Sequence, residues 1–186
     1  MAKYEFTGDT LEHEGRTLKQ IRRLSDGELG GWIESEDNLS HCGDSWVGDG
    51  AKVYGDALVF GDALVYEGAV VCGNAKVSGN AKVYGYAGVW GIAEVSGYAK
   101  VYGNARVCGC AQVYGDAWVY GDAWVTGDAK VCENAKVCWG TKGEPKDQPK
   151  TCNEVLIETL NGIREGSKGK ITITVPEGTE LDIKYE

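Results

Sequence analysis

The chain has 186 residues, of which 28 are glycine and only 3 are proline. Glycine at about twice its usual share of roughly 7 per cent, with so little proline, excludes a collagen-like or a proline-rich disordered chain. The net charge of -9, from 19 basic and 28 acidic residues spread along the chain, argues against a protein that binds nucleic acid by neutralising phosphates. With 2 Phe against 10 Tyr and 6 Trp, the sequence also lacks the large apolar side chains of an ordinary layered core.

The N-terminus, Met1-Ala2-Lys3-Tyr4-Glu5, has no apolar leader. No stretch reaches the roughly 18 apolar residues of a membrane span. A cytoplasmic protein with no membrane contact is therefore expected, and its thiols should stay reduced. Residues 3–24 read as a β-hairpin with His13-Glu14-Gly15-Arg16 near its turn. Gly27-Glu28-Leu29-Gly30-Gly31-Trp32-Ile33-Glu34-Ser35-Glu36-Asp37-Asn38-Leu39-Ser40 follows. Counting back from the repeats, Ile33 and Leu39 share the phase of the repeat's alanine, so residues 1–42 are expected to be a cap with an irregular first coil.

From Gly43 to Cys138 the chain is a six-residue repeat, 16 hexads such as GDALVY, GNAKVY and GDAWVY. The fifth position is Val in all 16, the third is Ala in 15 with Ser45 the exception, and the first is Gly in 13. Ala and Val two apart share one face of a strand. Gly followed by Asp or Asn is turn chemistry, since these types tolerate positive φ. One hexad cannot bury its own face, so coils must stack. Three hexads per coil give about 5.3 coils and a stack roughly 25 Å tall over residues 43–139. Residues 140–150 read as a linker. Residues 151–186 read as a helix, with a stripe of Leu156, Leu160 and Ile163, and then a hairpin over Ile171–Ile183. This segment would be a second cap or an oligomerisation element.

The hexads resemble the hexapeptide-repeat family, with Val47 and Ala51, Val53 and Ala57, and the later pairs matching its inward positions. Gly here lies two residues after Val, where the family commonly has it one after. The resemblance implies a left-handed parallel β-helix, here of 5–6 triangular coils in an all-β chain with a small C-terminal helix, and a homotrimer. Residues 27–40 resemble the opening of hexapeptide-repeat proteins from enteric bacteria and their phages, some provisionally labelled transferases.

Enzymes of this family use histidine, as a general base in acyltransferases or as three metal ligands in carbonic anhydrases. This chain has only His13 and His41, both before the regular coils. His41 falls at a valine position and is expected to point inward. No loop interrupts the repeat, so no catalytic cleft is expected. The seven cysteines, Cys42, Cys72, Cys108, Cys110, Cys132, Cys138 and Cys152, contain no CxxC and have no histidine at ligand spacing. No metal and no cofactor are expected, and the cysteines read as small stack fillers.

Stacking by 18 residues places Tyr66, Tyr84, Tyr102 and Tyr120 in one outward row, with Leu64, Lys82, Lys100, Trp118 and Lys136 beside them. Tyrosines could stack a ligand's ring while lysines meet its phosphate. The second hexad position is Asp or Asn in ten hexads, but Tyr86, Ile92 and Tyr98 occupy all three corners of one coil. An apolar belt of this kind points to an interface. The expected protein is a non-catalytic binding scaffold whose site draws on Lys82, Tyr84, Tyr86, Trp90, Ile92, Tyr98, Lys100, Tyr102 and Arg106. Its partner would be a nucleotide-like anion or a host protein, in a phage-type interference with host machinery. Self-association, as a trimer, is expected beside it. A hexapeptide acyltransferase and a structural assembly protein are the competing readings.

Overall fold

A computed structural model describes residues 2–139. The expected linker, helix and hairpin of residues 140–186, with Cys152, lie outside the described residues. Among those described the fold is an all-β parallel solenoid of about six turns, with one short 3-10 turn at Glu36–Asn38. No described helix is long and apolar enough to cross a membrane.

Each hexad contributes a short strand, of two residues ending on its valine except at Trp118–Gly121 and Lys136–Trp139, and every third hexad joins the same sheet. The fifth-position valines from Val47 to Val137 and the third-position alanines from Ala51 to Ala129 are all buried. The alternation of inward Ala and Val with outward residues thus fills a thin triangular core. Coils are joined by evenly spaced backbone bonds. In one hexad Asn80 N–H donates to Gly97 O at 2.7 Å, Lys82 N–H to Ala99 O at 2.9 Å and Tyr84 N–H to Val101 O at 3.0 Å.

Three sheets result. The hairpin sheet carries Val53, Val71, Val89, Val107 and Val125, and it begins with β1 (Tyr4–His13), β2 (Arg16–Arg23) and β3 (Leu29–Ile33). The lysine sheet carries Val47, Val65, Val83, Val101, Val119 and Val137, and the third sheet Val59, Val77, Val95, Val113 and Val131.

The corners differ from the expectation in one respect. Positive φ falls on the glycine of the first position, on Glu67 and Glu133 where they replace it, on Gly50 in the hexad that opens with Asp49, and on no described Asp or Asn. Gly91 (φ 76°) illustrates why glycine dominates. A Cβ there would also come within 2.9 Å of Gly109 O in the next coil. Glu67 accepts the strain of φ 59° with a local compensation, because its Oε2 takes the Gly85 N–H at 2.8 Å.

The hairpin closes the N-terminal end. Leu18, Ile21 and Tyr4 are buried, and Tyr4 and Ile21 join the solenoid core. The Tyr4 hydroxyl donates to Leu39 O at 3.1 Å, and burial pushes its pKa up to about 12. Lys3 Nζ donates to Ser45 O at 2.6 Å and Ser45 Oγ at 2.9 Å. That contact accounts for the one serine in the alanine row. Burial holds the Lys3 ammonium below its ordinary pKa.

Two expectations for this end are corrected. Ile33 pairs with Val53 and Leu39 bridges to Val59, so both occupy the valine row. The first coil is 20 residues long between these partners, whereas Trp46 pairs with Leu64 at the regular 18. The two extra residues lie between Leu39 and Val47, and they undo a phase counted back from the repeats. They also put His41 on an exposed bend, stacked on Tyr4 at 4.5 Å, instead of inward.

Candidate ligand-binding face

The strand register sets the outward rows of the lysine sheet. Leu64, Lys82, Lys100, Trp118 and Lys136 are successive partners. Among the described residues none of Lys82, Lys100 and Lys136 has a carboxylate within ion-pair distance. Lys100 Nζ lies 4.6 Å and Lys136 Nζ 4.8 Å from the Trp118 ring centroid. These lysines come from the coils before and after Trp118, so one indole bridges two ammonium groups by cation–π attraction.

The neighbouring tyrosines are spaced by the coils. Ring centroids of Tyr66, Tyr84, Tyr102 and Tyr120 are 5.0, 5.0 and 5.3 Å apart, and the planes differ by 1° to 8°. Both faces of Tyr84 and Tyr102 are therefore covered by neighbouring rings, which leaves their edges and hydroxyls to solvent. Tyr84 and Tyr102 cannot offer the ring-stacking platform that the sequence suggested. Burial raises the Tyr66 and Tyr84 pKa values, and the next tyrosine adds to the rise. These hydroxyls are donors at neutral pH.

Beside the lysine row runs a shallow open groove of about 690 Å³. Its lining is Asn80, Lys82, Tyr98, Lys100, Asp116, Trp118, Asn134 and Lys136. Tyr98 is 62% exposed, so its ring is free for a ligand. The nine residues singled out from the sequence are thus divided. Lys82, Tyr84, Lys100 and Tyr102 share the lysine sheet, and Tyr98 borders it. Trp90 and Arg106 face outward on the hairpin sheet, with Tyr86 and Ile92 at its two corners. Lys136, Trp118, Asn80, Asp116 and Asn134 were not assigned to the site by sequence. The signal for them was the same 18-residue register, read along the row and along the corner beside Tyr98.

Charge distribution separates the three faces. On the third sheet Lys76 Nζ and Glu94 Oε1 approach to 3.5 Å across adjacent coils. On the hairpin sheet Arg106 lies 6.0 Å from the Trp124 ring, and Trp124 Nε1 donates to Cys108 Sγ at 3.2 Å. At the N-terminal end a second groove, of about 610 Å³, is lined by Lys3, Arg23 and Trp46 among others. Its cations are engaged, Lys3 with Ser45 and Arg23 with Asp26 and Glu28.

A family model described as the YdcK beta solenoid repeat matches residues 111–135. That stretch covers the hexads of Val113, Val119, Val125 and Val131, so the match agrees with the repeat architecture seen there. No curated protein matches the chain.

Proposed function

We propose that the solenoid is a rigid, non-catalytic scaffold that binds a small anion bearing a planar ring, of the nucleotide kind, on its lysine sheet. The observation that carries this reading is the row Lys82, Lys100 and Lys136, with no ion-pair partner among the described residues of a chain whose net charge is -9. In such a chain an uncompensated cation row attracts counter-charge, and ammonium groups meet phosphate or carboxylate by charge-assisted hydrogen bonds. Lys100 and Lys136 hold the anion on either side of Trp118, and Tyr98 supplies the ring contact that the stacked tyrosines cannot. Held without turnover, the ligand is sequestered. The resemblance of residues 27–40 to phage proteins makes host machinery the natural source of such a ligand.

Thermal denaturation with ATP, adenosine, pyrophosphate and acetyl-coenzyme A tests this. A ligand at a hundred times its Kd stabilises the native state by about 2.7 kcal/mol. ATP should raise Tm, adenosine should not, and Lys100→Glu should abolish the rise. Equal stabilisation by pyrophosphate would remove the ring contact from the reading. No stabilisation by any of the four overturns the reading, and so does turnover of acetyl-coenzyme A.

A further inference from the structure

One carboxylate stands among the lysines of the ligand-binding groove. Asp116 lines it with Lys82, Lys100, Trp118 and Lys136, yet among the described residues its carboxylate has no hydrogen-bond or ion-pair partner. Carboxylates at two other corner positions are used by the coil before. Asp62 Oδ1 accepts the Asp44 N–H at 3.0 Å, and Asp122 Oδ1 accepts from Asn104 Nδ2 at 3.0 Å. One coil before Asp116, its own corner column holds Tyr98, where Asn80 and Asn134 stand in the flanking coils. Tyr98 sends its N–H to Gly115 O at 2.8 Å and gives the carboxylate no hydrogen bond. A tyrosine at a corner that otherwise takes Asp or Asn therefore has two effects. It exposes a ring, and it leaves the next carboxylate in the column unused. That carboxylate also opposes any phosphate that the lysines attract. Its place is at the uncharged end of the ligand, the ring resting on Tyr98.

We infer, resting on the reading of this groove as a nucleotide site, that the ring is guanine and that Asp116 selects it. An ionised carboxylate only accepts, and it pairs best with two N–H donors side by side in one plane. Guanine has such an edge, its N1–H beside its N2 amino group. Adenine and cytosine each set a ring-nitrogen lone pair beside their amino group, and that lone pair faces the second carboxylate oxygen. Uracil sets its one N–H between two carbonyls. A ring on Tyr98 has Asp116 one coil away, about 4.8 Å along the corner, which is within reach of the ring's edge. The ribose diol also offers two donors to a carboxylate. Every ribonucleotide carries that diol, so discrimination between bases separates the two roles.

Calorimetric titration of the full chain with GTP, ITP and ATP tests this. A bidentate pair to a base discriminates by roughly tenfold or more, so GTP should bind about tenfold more tightly than ATP. ATP keeps the phosphates and a ring for Tyr98, so it should still bind. ITP, which lacks the N2 amino group, should fall between them. Asp116→Asn should bring the ratio of GTP to ATP affinity to about one. Asparagine already stands in this column at Asn80 and Asn134, so the corner chemistry is kept, and the ITP comparison needs no substitution at all. Equal affinities for GTP and ATP overturn the inference, placing Asp116 on the ribose or off the ligand, and leave the groove a nucleotide site. GTP and ITP binding equally overturns it too, because the second N–H then counts for nothing. A GTP preference that survives Asp116→Asn overturns it by moving the selection to another residue. No binding of any of the three overturns both this inference and the reading it rests on.

Discussion

The N-terminal coil and the regular coils solve the same stacking problem by different means. In the regular coils each hexad makes the same few contacts: a buried Ala and Val, three backbone bonds to the next coil, and a glycine corner. The 20-residue first coil has no such repetition. Asn38 does the work instead, 1% exposed, with every polar group used. Its Oδ1 accepts from Glu34 N–H at 3.1 Å and Ser35 N–H at 2.9 Å, and its Nδ2 donates to Gly55 O and Ala57 O at 2.9 Å each. One side chain thus splices an irregular turn onto a regular one. The difference teaches that sensitivity to substitution is concentrated where periodicity fails.

The sharpest way to break that contrast is at Asn38 itself. Asn38→Ala strands three backbone groups at the junction, since the Glu34 N–H keeps Val53 O at 3.1 Å, and each unpaired buried group costs about 1–3 kcal/mol. Partial rescue by water brings the expected loss to about 3–5 kcal/mol, measured by urea denaturation. Asn38→Asp, which keeps the shape but turns an oxygen toward Gly55 O and Ala57 O, should do no better. If Asn38→Asp is tolerated, shape and not hydrogen bonding sets the junction.

A smaller effect is expected in the regular coils. Tyr102 stacks on Tyr84 and Tyr120 and meets Trp118 edge-on at 6.4 Å. Aromatic pairs add about 0.5–1.5 kcal/mol each beyond the area they bury. The two stacked pairs that Tyr102→Ala removes should therefore account for about 1–3 kcal/mol of its loss. The end member Tyr66→Ala, which has one stacked neighbour, should cost about half as much. Equal losses at the two sites would mean that the ladder's stacking contributes nothing and that only area matters.

These sites also show what the sequence made legible. The Val and Ala periods disclose the inward rows, and an 18-residue coil then assigns every outward neighbour, including Lys100 beside Trp118. The same spacing of about 5 Å fixes the tyrosine rings face to face, although a row of tyrosines in a sequence reads equally well as an open platform. Contacts that depend on a departure from the period were illegible. Two added residues between Leu39 and Val47 shift Ile33, Leu39 and His41 together, and nothing in the hexads announces them. Ser45 breaks the alanine row for Lys3, 42 residues earlier, and no local pattern links the two.

The smallest expected effect ties the hairpin to the first coil through Glu34. Its Oε2 accepts the Gly55 N–H at 2.7 Å, and its carboxylate meets Arg16 Nη1 at 2.9 Å. The Gly55 hydrogen bond, and then Arg16, hold the Glu34 pKa below its ordinary value of 4.5. A carboxylate with a depressed folded pKa stabilises the native state above its unfolded pKa and loses that contribution as pH falls through the folded one. Stability should therefore fall as pH drops below 4.5 toward the lower folded value. The side chain is 30% exposed and its partner 46%, so solvent screening keeps the ion pair itself below about 1 kcal/mol. Glu34→Gln keeps an oxygen for Gly55 N–H but removes the titration. Its denaturation curve should show less acid sensitivity in that window than the unaltered chain, while Arg16→Gln should reduce it only in part. An acid profile unchanged by Glu34→Gln would place the pH dependence of this end elsewhere, and leave Asn38 and the backbone pairing of Ile33 with Val53 to join the irregular coil to the regular ones.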